Sequence, residues 1–312
     1  MDSLKKLVSF VKLLFTCGLL CILVGLIISR QDEIISIINN HILNRSREVS
    51  LEEKNAYYRN YDFDLVKNTT DFSPENFQDI LDIYYTILNS GQNSFTFYCS
   101  TEYTDCISDI QKLADNQELL STINNYVHPF NGFTHIETEY DTFGRVTVTI
   151  MKSYTNEEIL QINEKMDELY PQIVQNHLSL RDNIRAVHDY IINHARYDSS
   201  RSDFQDSTYH SDIAYGPLFE GYAICGGYTD LMELFLERMG IKSFKVSSDE
   251  HVWNALYLDG YLYHLDLTWD DPVATDGKDY LEDNYFLIST SQLLEQDTTQ
   301  HSFLTDYYPE LS

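Results

Sequence analysis

The sequence predicts an α+β protein that begins with a long apolar helix. Three observations lead to this prediction: an apolar stretch over residues 7–29, amphipathic helical patterns with alternating strand patterns after it, and a hydrophobic content of 43% that is typical of a folded core. The 49 acidic and 21 basic side chains give a formal charge of −28. This charge argues against a nucleic-acid-binding protein, because phosphate binding needs clustered lysine and arginine.

The apolar stretch of residues 7–29 is interrupted only by Lys12, and it is long enough for a membrane-spanning helix, which needs about 20 apolar residues. Lysines lie at its start and acidic residues follow it, so the positive-inside tendency predicts a cytoplasmic N-terminus. No small-residue cleavage site follows, which favours an uncleaved anchor over a signal peptide. We therefore expect a single-pass protein of the cell membrane whose remaining chain is extracytoplasmic.

The region after the anchor predicts a stalk over residues 31–60 and then a small α+β unit over residues 61–174, of unassigned role. No cluster of His, Cys or carboxylate residues with catalytic spacing occurs in the sequence of this unit. Its expected elements are a helix that starts at 73–75, a strand over 94–98, a helix over 104–124, a hairpin with strands over 132–139 and 145–151, and a helix over 156–174.

The five cysteines fall into three groups. Cys17 and Cys21 lie within the apolar stretch. Cys99 and Cys106 are close enough in sequence to form a disulfide in an oxidising compartment, and two buried free thiols are the alternative. Cys225 is then left over, and an odd thiol outside the cell is a candidate for chemistry.

Cys225 lies at the predicted start of an amphipathic helix that ends before Gly240. At a helix start the unpaired N–H groups and the helix dipole favour an anion, so they raise the thiolate fraction of a thiol. Gly226 and Gly227 follow directly and would let a substrate backbone approach closely. A buried structural cysteine at a helix start is the alternative interpretation.

A hairpin after this helix brings a histidine and a carboxylate together. Asp259 and Gly260 predict a two-residue turn, and the register set by that turn places His251 diagonal to Asp266, within side-chain reach. In such a pair the carboxylate fixes the tautomer of a catalytic base. His264 shares this face, so the register alone leaves it open as the base.

Three blocks of the sequence resemble those of the transglutaminase-like superfamily, in a membrane-anchored, prokaryotic-type member. The blocks are GYAICGGY at 221–228, HVWN at 251–254 and DLTWDDP at 266–272. Their order and their spacings of 26 and 15 residues fit the pattern of that family, and the resemblance covers about residues 178–272. It implies a papain-like fold, in which the helix that carries the nucleophile packs on an antiparallel sheet.

The resemblance also implies a role for each residue: Cys225 as nucleophile, His251 as base and acid, and Asp266 as the group that orients His251. The oxyanion-hole donor is open, with the Cys225 backbone N–H as one candidate and Tyr209 or His210 as its partner. No cofactor and no metal are expected, because the acidic run at 270–276 is more typical of a solvated loop.

The predicted function is a membrane-anchored cysteine enzyme that transfers acyl groups from protein or peptide amides in the cell envelope. Hydrolysis, by a protease or deamidase, is favoured over cross-linking. The alternatives are a protein-glutamine transglutaminase and an inactive transglutaminase-like binding module at the membrane. The expected domains are an anchor at 1–30, a stalk at 31–60, an α+β region at 61–174, the transglutaminase-like catalytic domain at 175–290, and a tail at 291–312.

Overall fold

Two antiparallel sheets with helices packed on them form a mixed α+β fold. The computed structural model describes residues 2–38, 49–51, 53–204, 207–272 and 280–312, without the side chains of residues 2–11, 13, 14, 36, 38 and 202–204. The strands in chain order are β1 (Ser94–Tyr98), β2 (Phe133–Tyr140), β3 (Arg145–Lys152), β4 (Arg196–Tyr197), β5 (Tyr222–Ala223), β6 (Ser243–Ser247), β7 (Val252–Leu258), β8 (Tyr261–Leu265) and β9 (Phe286–Ile288).

The helices occupy the segments between these strands and the N-terminal region. In chain order they are α1 (Asp2–Ser29), α2 (Gln31–Ile38), α3 (Phe77–Asn89), α4 (Cys106–Asp115), α5 (Gln117–Asn125), α6 (Asn156–Ile173), α7 (Leu180–His194), α8 (Ser199–Phe204), α9 (Cys225–Arg238), α10 (Leu267–Asp270) and α11 (Thr290–Gln296).

Helix α1 covers the apolar stretch of residues 7–29, so the helical conformation expected there is present. Apolar side chains in its second half, such as Phe15 and Leu20, are exposed. Within the described part of the chain, no helix has the length and apolarity that crossing a membrane requires. The membrane anchor therefore stays a prediction.

The first sheet contains the predicted hairpin, with strand order β1-β3-β2. Two helix boundaries differ from the sequence expectation. Helix α3 starts after Asn76 rather than at 73–75, because Asn76 and Asp79 form a reciprocal capping box. The helix expected over 104–124 is divided at Asn116, whose side chain caps α5 by accepting from the Leu119 N–H.

Cys99 and Cys106 form a disulfide, with their Cα atoms 5.8 Å apart. It joins the residue after β1 to the first residue of α4. Of the two alternatives that the sequence left open, the structure shows the cross-link.

The second sheet has the strand order β6-β7-β8-β9. At its central hairpin Asp259 and Gly260 have φ values of 53° and 82°, the left-handed backbone that a two-residue turn of type I′ requires. Leu258 pairs with Tyr261, so the predicted register is confirmed. The ladder ends with Asn254 and Leu265, one residue before the predicted pairing of Trp253 with residue 266, because there the chain turns into α10.

This second sheet is buried on both faces. Phe244, Val246, Trp253 and Ala255 belong to the apolar core formed by residues of the 61–174 region, whereas the opposite face, including Leu256, packs with α7 and α9. Helix α9 packs on this antiparallel sheet, as the resemblance implies for the helix that begins at Cys225. The two regions that the sequence analysis separated share one core through this sheet.

The predicted stalk and tail also differ from the expectation where the structure describes them. Arg59 and Tyr308, from these two segments, are each 1% exposed. Their aromatic and charged side chains have buried partners, so these residues are part of the fold. The side chain of Asn125 donates to the hydroxyl of Tyr308 over 2.8 Å.

Arg59 forms a fully buried ion pair with Glu233 of α9, with 2.5 Å between Nη2 and Oε1. The Nη1 of Arg59 also donates to the carbonyl oxygens of Tyr126 and Ser243, at 3.1 and 3.3 Å. The guanidinium therefore links the N-terminal region, helix α9 and the second sheet at one point.

Candidate active site

Cys225 is the first residue of α9, as predicted, and its side chain is partly exposed. Ile224, the N-cap residue of α9, has an extended backbone, and its apolar side chain forms no capping hydrogen bond. The first N–H groups of α9 therefore lack a capping side chain at the position of the thiol, and such a helix start favours a thiolate.

Packing inside the protein requires glycine at both Gly226 and Gly227. A Cβ at Gly226 would lie 2.6 Å from the carbonyl oxygen of Asp212, and one at Gly227 would lie 2.4 Å from that of Ser211. The same loop accepts a hydrogen bond from the N–H of Ile224 over 2.8 Å. The prediction that these glycines admit a substrate backbone is thus wrong for this side of the helix, because the 211–213 loop occupies the space.

We expect Gly227→Ala to lower the free energy of unfolding by about 1–3 kcal/mol, because a methyl group forced against the Ser211 carbonyl must displace the loop or the helix start. Gly240→Ala is the comparison: Gly240 has a φ of 72° and open space around it, so its cost is the backbone term alone, about 1 kcal/mol. Urea denaturation measures both. A smaller loss for Gly227→Ala than for Gly240→Ala would contradict the steric explanation.

His251 and Asp266 contact each other as the hairpin register predicts. The Nε2 of His251 lies 2.5 Å from Oδ2 of Asp266, and both side chains are buried. The other carboxylate oxygen, Oδ1, accepts from the backbone N–H groups of Thr268 and Trp269 at 2.9 and 3.3 Å, because Asp266 is also the N-cap of α10. The carboxylate is therefore held from two sides.

The Cys225 side chain interacts with the His251 ring, and this interaction is one of the causes that raise the pKa of the ring. Since Nε2 of His251 contacts Asp266, Nδ1 is the nitrogen left for the thiol. Burial by itself lowers the pKa of His251, but the charge of Asp266 and the hydrogen bonds to Asp266 and Cys225 outweigh it and raise this pKa to about 10. Burial opposes ionisation of Asp266 as well, yet His251 and His301 bring the pKa of this carboxyl well below its ordinary value.

His264, which the sequence left open as the base, is on the same face of the second sheet but has different partners. Its Nδ1 accepts from the indole N–H of Trp253 at 2.9 Å, and its Nε2 lies 3.1 Å from the Thr290 hydroxyl. Burial, followed by the charge of His301, lowers the pKa of His264 to about 3. His264 is therefore a neutral core residue, and His251 is the histidine that contacts Asp266 and lines one cavity with Cys225.

A second histidine that the sequence analysis did not single out completes the cluster. His301 is fully buried, and its Nε2 lies 2.9 Å from the same Oδ2 of Asp266 that His251 contacts. Its Nδ1 lies 2.9 Å from Oδ2 of Asp297. His301 belongs to the segment predicted as a tail, and no spacing or motif connects it to the hairpin.

One group of potential metal ligands occurs in the described ranges: ring nitrogens of His251 and His301 and an oxygen of Asp266, all within 4.8 Å of one another. The nitrogen–oxygen separations are 2.5 and 2.9 Å. Ligands of one ion, at about 2.1 Å from it, are roughly 3 Å or more apart. The distances are therefore those of direct hydrogen bonds to a shared carboxylate.

The acidic run at 270–276 differs from the solvated loop that was expected, as far as the structure describes it. Asp270 is fully buried and lies 3.1 Å from Nε2 of His188, and Asp271 accepts from the hydroxyl of Tyr228. Each carboxylate is thus paired inside the protein. Residue 276 lies outside the described residues.

A cavity of about 550 Å³ opens onto the cluster. It is lined by Cys225 and His251 together with, among others, Tyr197, Glu250, Trp269 and Gln300. The two side chains suggested as partners in an oxyanion hole do not line this described cavity: Tyr209 stacks on Tyr222 with ring centroids 4.2 Å apart, and His210 bonds to Glu220. The Cys225 N–H remains the candidate donor.

Two solved structures are similar to this chain. One is a TGase with 14% sequence identity and a TM-score of 0.33, in a match that covers 50% of this chain and 48% of that one. The other is a candidate cysteine protease from Cytophaga hutchinsonii with 14% identity and a TM-score of 0.27, covering 43% of this chain and 61% of that one. No known family profile and no curated protein matches the chain. The proposed function of this protein therefore rests on the geometry of the site.

The raised pKa of His251 makes stability depend on pH in a defined direction. Because this pKa, about 10, lies above the ordinary 6.5, the contribution of His251 is fully present below about pH 6.5 and is lost as the pH rises through about 10. We expect the unfolding free energy of the wild type to exceed that of His251→Gln by a constant amount below pH 6.5, and this difference to shrink between pH 6.5 and 10. Urea titrations of both proteins test this, and a difference that grows with pH would contradict it.

Proposed function

We propose that this protein is a cysteine-dependent acyl-transfer enzyme that acts on protein or peptide amides. Cys225 is the nucleophile, His251 the acid and base, and Asp266 the group that orients and charges His251. The observation that carries the proposal is a cavity of about 550 Å³ lined by both a thiol at a helix start and an imidazole, whose ring contacts a buried carboxylate.

In the first half of the proposed reaction the Cys225 thiolate attacks the amide carbonyl carbon, and the carbonyl oxygen becomes an oxyanion next to the Cys225 N–H. The carbonyl re-forms as the carbon–nitrogen bond breaks, and the leaving amine takes the proton of the His251 imidazolium. A thioester and a neutral imidazole remain. In the second half a water molecule gives a proton to His251 as its oxygen attacks the thioester. The carbon–sulfur bond then breaks, and the thiolate returns beside the imidazolium.

We favour hydrolysis over transfer to a second amine. Cys225 is partly exposed at the cavity, so water can reach a thioester formed there. The proposed location is the cell membrane, with the catalytic region outside, as the apolar residues 7–29 and the helical conformation of α1 suggest. Recovery of the full chain in the membrane pellet after an alkaline carbonate wash supports this location, and recovery in the supernatant contradicts it.

Thiol labelling tests the enzyme proposal directly. The full chain is treated with iodoacetamide near neutral pH, and the peptide that contains Cys225 is followed by mass spectrometry, which separates its reaction from that of the other free thiols, Cys17 and Cys21. We expect Cys225 to react faster than free cysteine and His251→Gln to remove this advantage. Equal rates for Cys225 and free cysteine, with no effect of His251→Gln, would overturn the proposal.

Incubation with peptides and a primary amine then separates the two outcomes. Release of free acid or ammonia without an amine adduct supports hydrolysis. An amine adduct that depends on Cys225 assigns the protein to the transferases instead. Cys225→Ala is the control in both assays, because it removes only the sulfur atom.

A further inference from the structure

We propose that His301 is a positively charged positioning residue, which shares the Asp266 carboxylate with His251 and so keeps the His251 proton transferable. This inference rests on the proposed function, because it concerns the acidity of His251, which is the acid of that reaction. His301 itself does not line the cavity described above, and it acts through Asp266.

The charge of His301 follows from its two partners. A neutral imidazole has one N–H and one nitrogen that can only accept, whereas an ionised carboxylate can only accept. Both ring nitrogens of His301 lie 2.9 Å from carboxylate oxygens, of Asp266 and of Asp297. Both contacts are hydrogen bonds only when both nitrogens carry a proton, as in the imidazolium.

Neither carboxylate has room for the proton instead. Oδ2 of Asp297 also accepts from the N–H of Gln300 at 2.9 Å, and its Oδ1 accepts from the N–H and the hydroxyl of Thr299. Burial disfavours the charge of Asp297, but the bonds to Thr299, Gln300 and His301 bring the pKa of this carboxyl well below its ordinary value. Oδ1 of Asp266 is taken by the two N–H groups of the α10 start.

The other titratable groups around His301 are uncharged. Tyr285 stacks on the His301 ring at 5.0 Å, and burial raises the pKa of its hydroxyl to about 12. His264 has a pKa lowered to about 3. The remaining ring neighbours include Trp253 and Trp269, which do not titrate. Among the described residues, the charged groups in direct contact with the His301 ring are Asp266 and Asp297, and His251 shares Asp266 with it.

Two cations that share one oxygen divide its negative charge. His251 and His301 contact Oδ2 of Asp266 at 2.5 and 2.9 Å. Each imidazolium lowers the affinity of the other for its proton, because like charges disfavour the protonated form. Without the charge of His301, Asp266 would hold the His251 proton more tightly, and protonation of the leaving amine would be slower.

A purely structural role predicts a different result. Asp266 is fixed at Oδ1 by Thr268 and Trp269, independently of His301. Loss of the His301 charge, with its hydrogen bond kept, should therefore leave Asp266 in place and change only the acidity of His251. Asp297→Asn makes this change, since an amide oxygen or nitrogen at Nδ1 no longer requires the imidazolium, and the neutral ring can still donate from Nε2.

The test is an NMR pH titration of the histidine rings in the full chain labelled with ¹⁵N-histidine. We expect Asp297→Asn and His301→Gln each to raise the pKa of His251 by about one unit relative to the wild type. Asp306→Asn, an exposed acid in the same C-terminal segment, is the matched control and should shift it by less than about 0.2 units. An unchanged or lowered pKa of His251 in a folded Asp297→Asn protein overturns the inference.

This titration needs no substrate, so it stands apart from the proposed enzyme activity. If the labelling of Cys225 fails but the His251 pKa rises in Asp297→Asn, the charge sharing is correct and the function is wrong. With a turnover assay in hand, Asp297→Asn should lower kcat about threefold or more with KM unchanged. A rise in KM alone would contradict a role in proton transfer.

Discussion

Asp266→Asn is expected to lower kcat/KM by about 10³–10⁴-fold while the protein stays folded. In the wild type, one oxygen of Asp266 receives the N–H groups of His251 and His301 and the other caps α10. Asparagine has only one acceptor oxygen, so either the cap or the two imidazoles must face an NH₂ group. When the asparagine oxygen keeps the cap of α10, the two imidazoles face the NH₂ group and lose their acceptor. His251 then loses both its orientation and the negative charge that keeps it protonated.

The measurement is kcat/KM for the full chain on a peptide amide substrate, with thermal melting as the check on folding. Asp306→Asn is again the control, because Asp306 is an exposed acid in the same C-terminal segment as His301. Retention of more than a tenth of the wild-type kcat/KM by a folded Asp266→Asn protein would remove Asp266 from the proposed mechanism. Iodoacetamide labelling should slow in parallel, since the thiolate then lacks a protonated histidine beside it.

Arg59→Met is expected to lower the free energy of unfolding by about 3–5 kcal/mol, the largest loss of stability that we predict. The side chains of Arg59 and Glu233 are both fully buried, so removal of the guanidinium leaves the Glu233 carboxylate without its cation. The remaining donors to that carboxylate are Ser243 and Asn254, at 3.0 Å each. Neutral donors of this kind do not balance a buried charge.

The double variant Arg59→Met, Glu233→Gln distinguishes loss of a charge partner from loss of packing. We expect it to recover part of the stability, because the second change removes the uncompensated charge. Arg145→Met is the matched surface control: Arg145 pairs with Asp141 with 60% of its side chain exposed, and its loss should cost less than about 1 kcal/mol. A double variant whose loss of stability relative to the wild type equals or exceeds the sum of the two single losses would contradict this explanation.

The sequence could predict those parts of the fold that depend on local patterns. The Asp259-Gly260 turn sets the register of β7 and β8, and that register alone brings His251 to Asp266. The position of Cys225 at the start of α9 likewise follows from the helical pattern and its end before Gly240. In each case the residues concerned lie within about fifteen positions of one another, where turn and helix geometry leave few alternatives.

The remaining contacts join residues that are distant in the chain and carry no periodic signal. His301 meets Asp266 from 35 residues away, and Arg59 meets Glu233 from 174 residues away. A buried charge looks the same in the sequence as an exposed one, so the pairing of Asp270 with His188 could not be told from a solvated loop. The Cys99–Cys106 disulfide is intermediate, because its short spacing permits a bond without requiring one.

The burial of the second sheet on both faces has a consequence for any attempt to isolate the catalytic unit. A fragment that begins at residue 175 would keep α9 and the three proposed catalytic residues. It would expose the side chains of Phe244, Val246 and Trp253 to solvent. A contiguous apolar surface of that kind drives aggregation. Because residues 61–174 cover this apolar side of the second sheet, we expect a fragment without them to aggregate and a fragment that keeps them to stay dispersed.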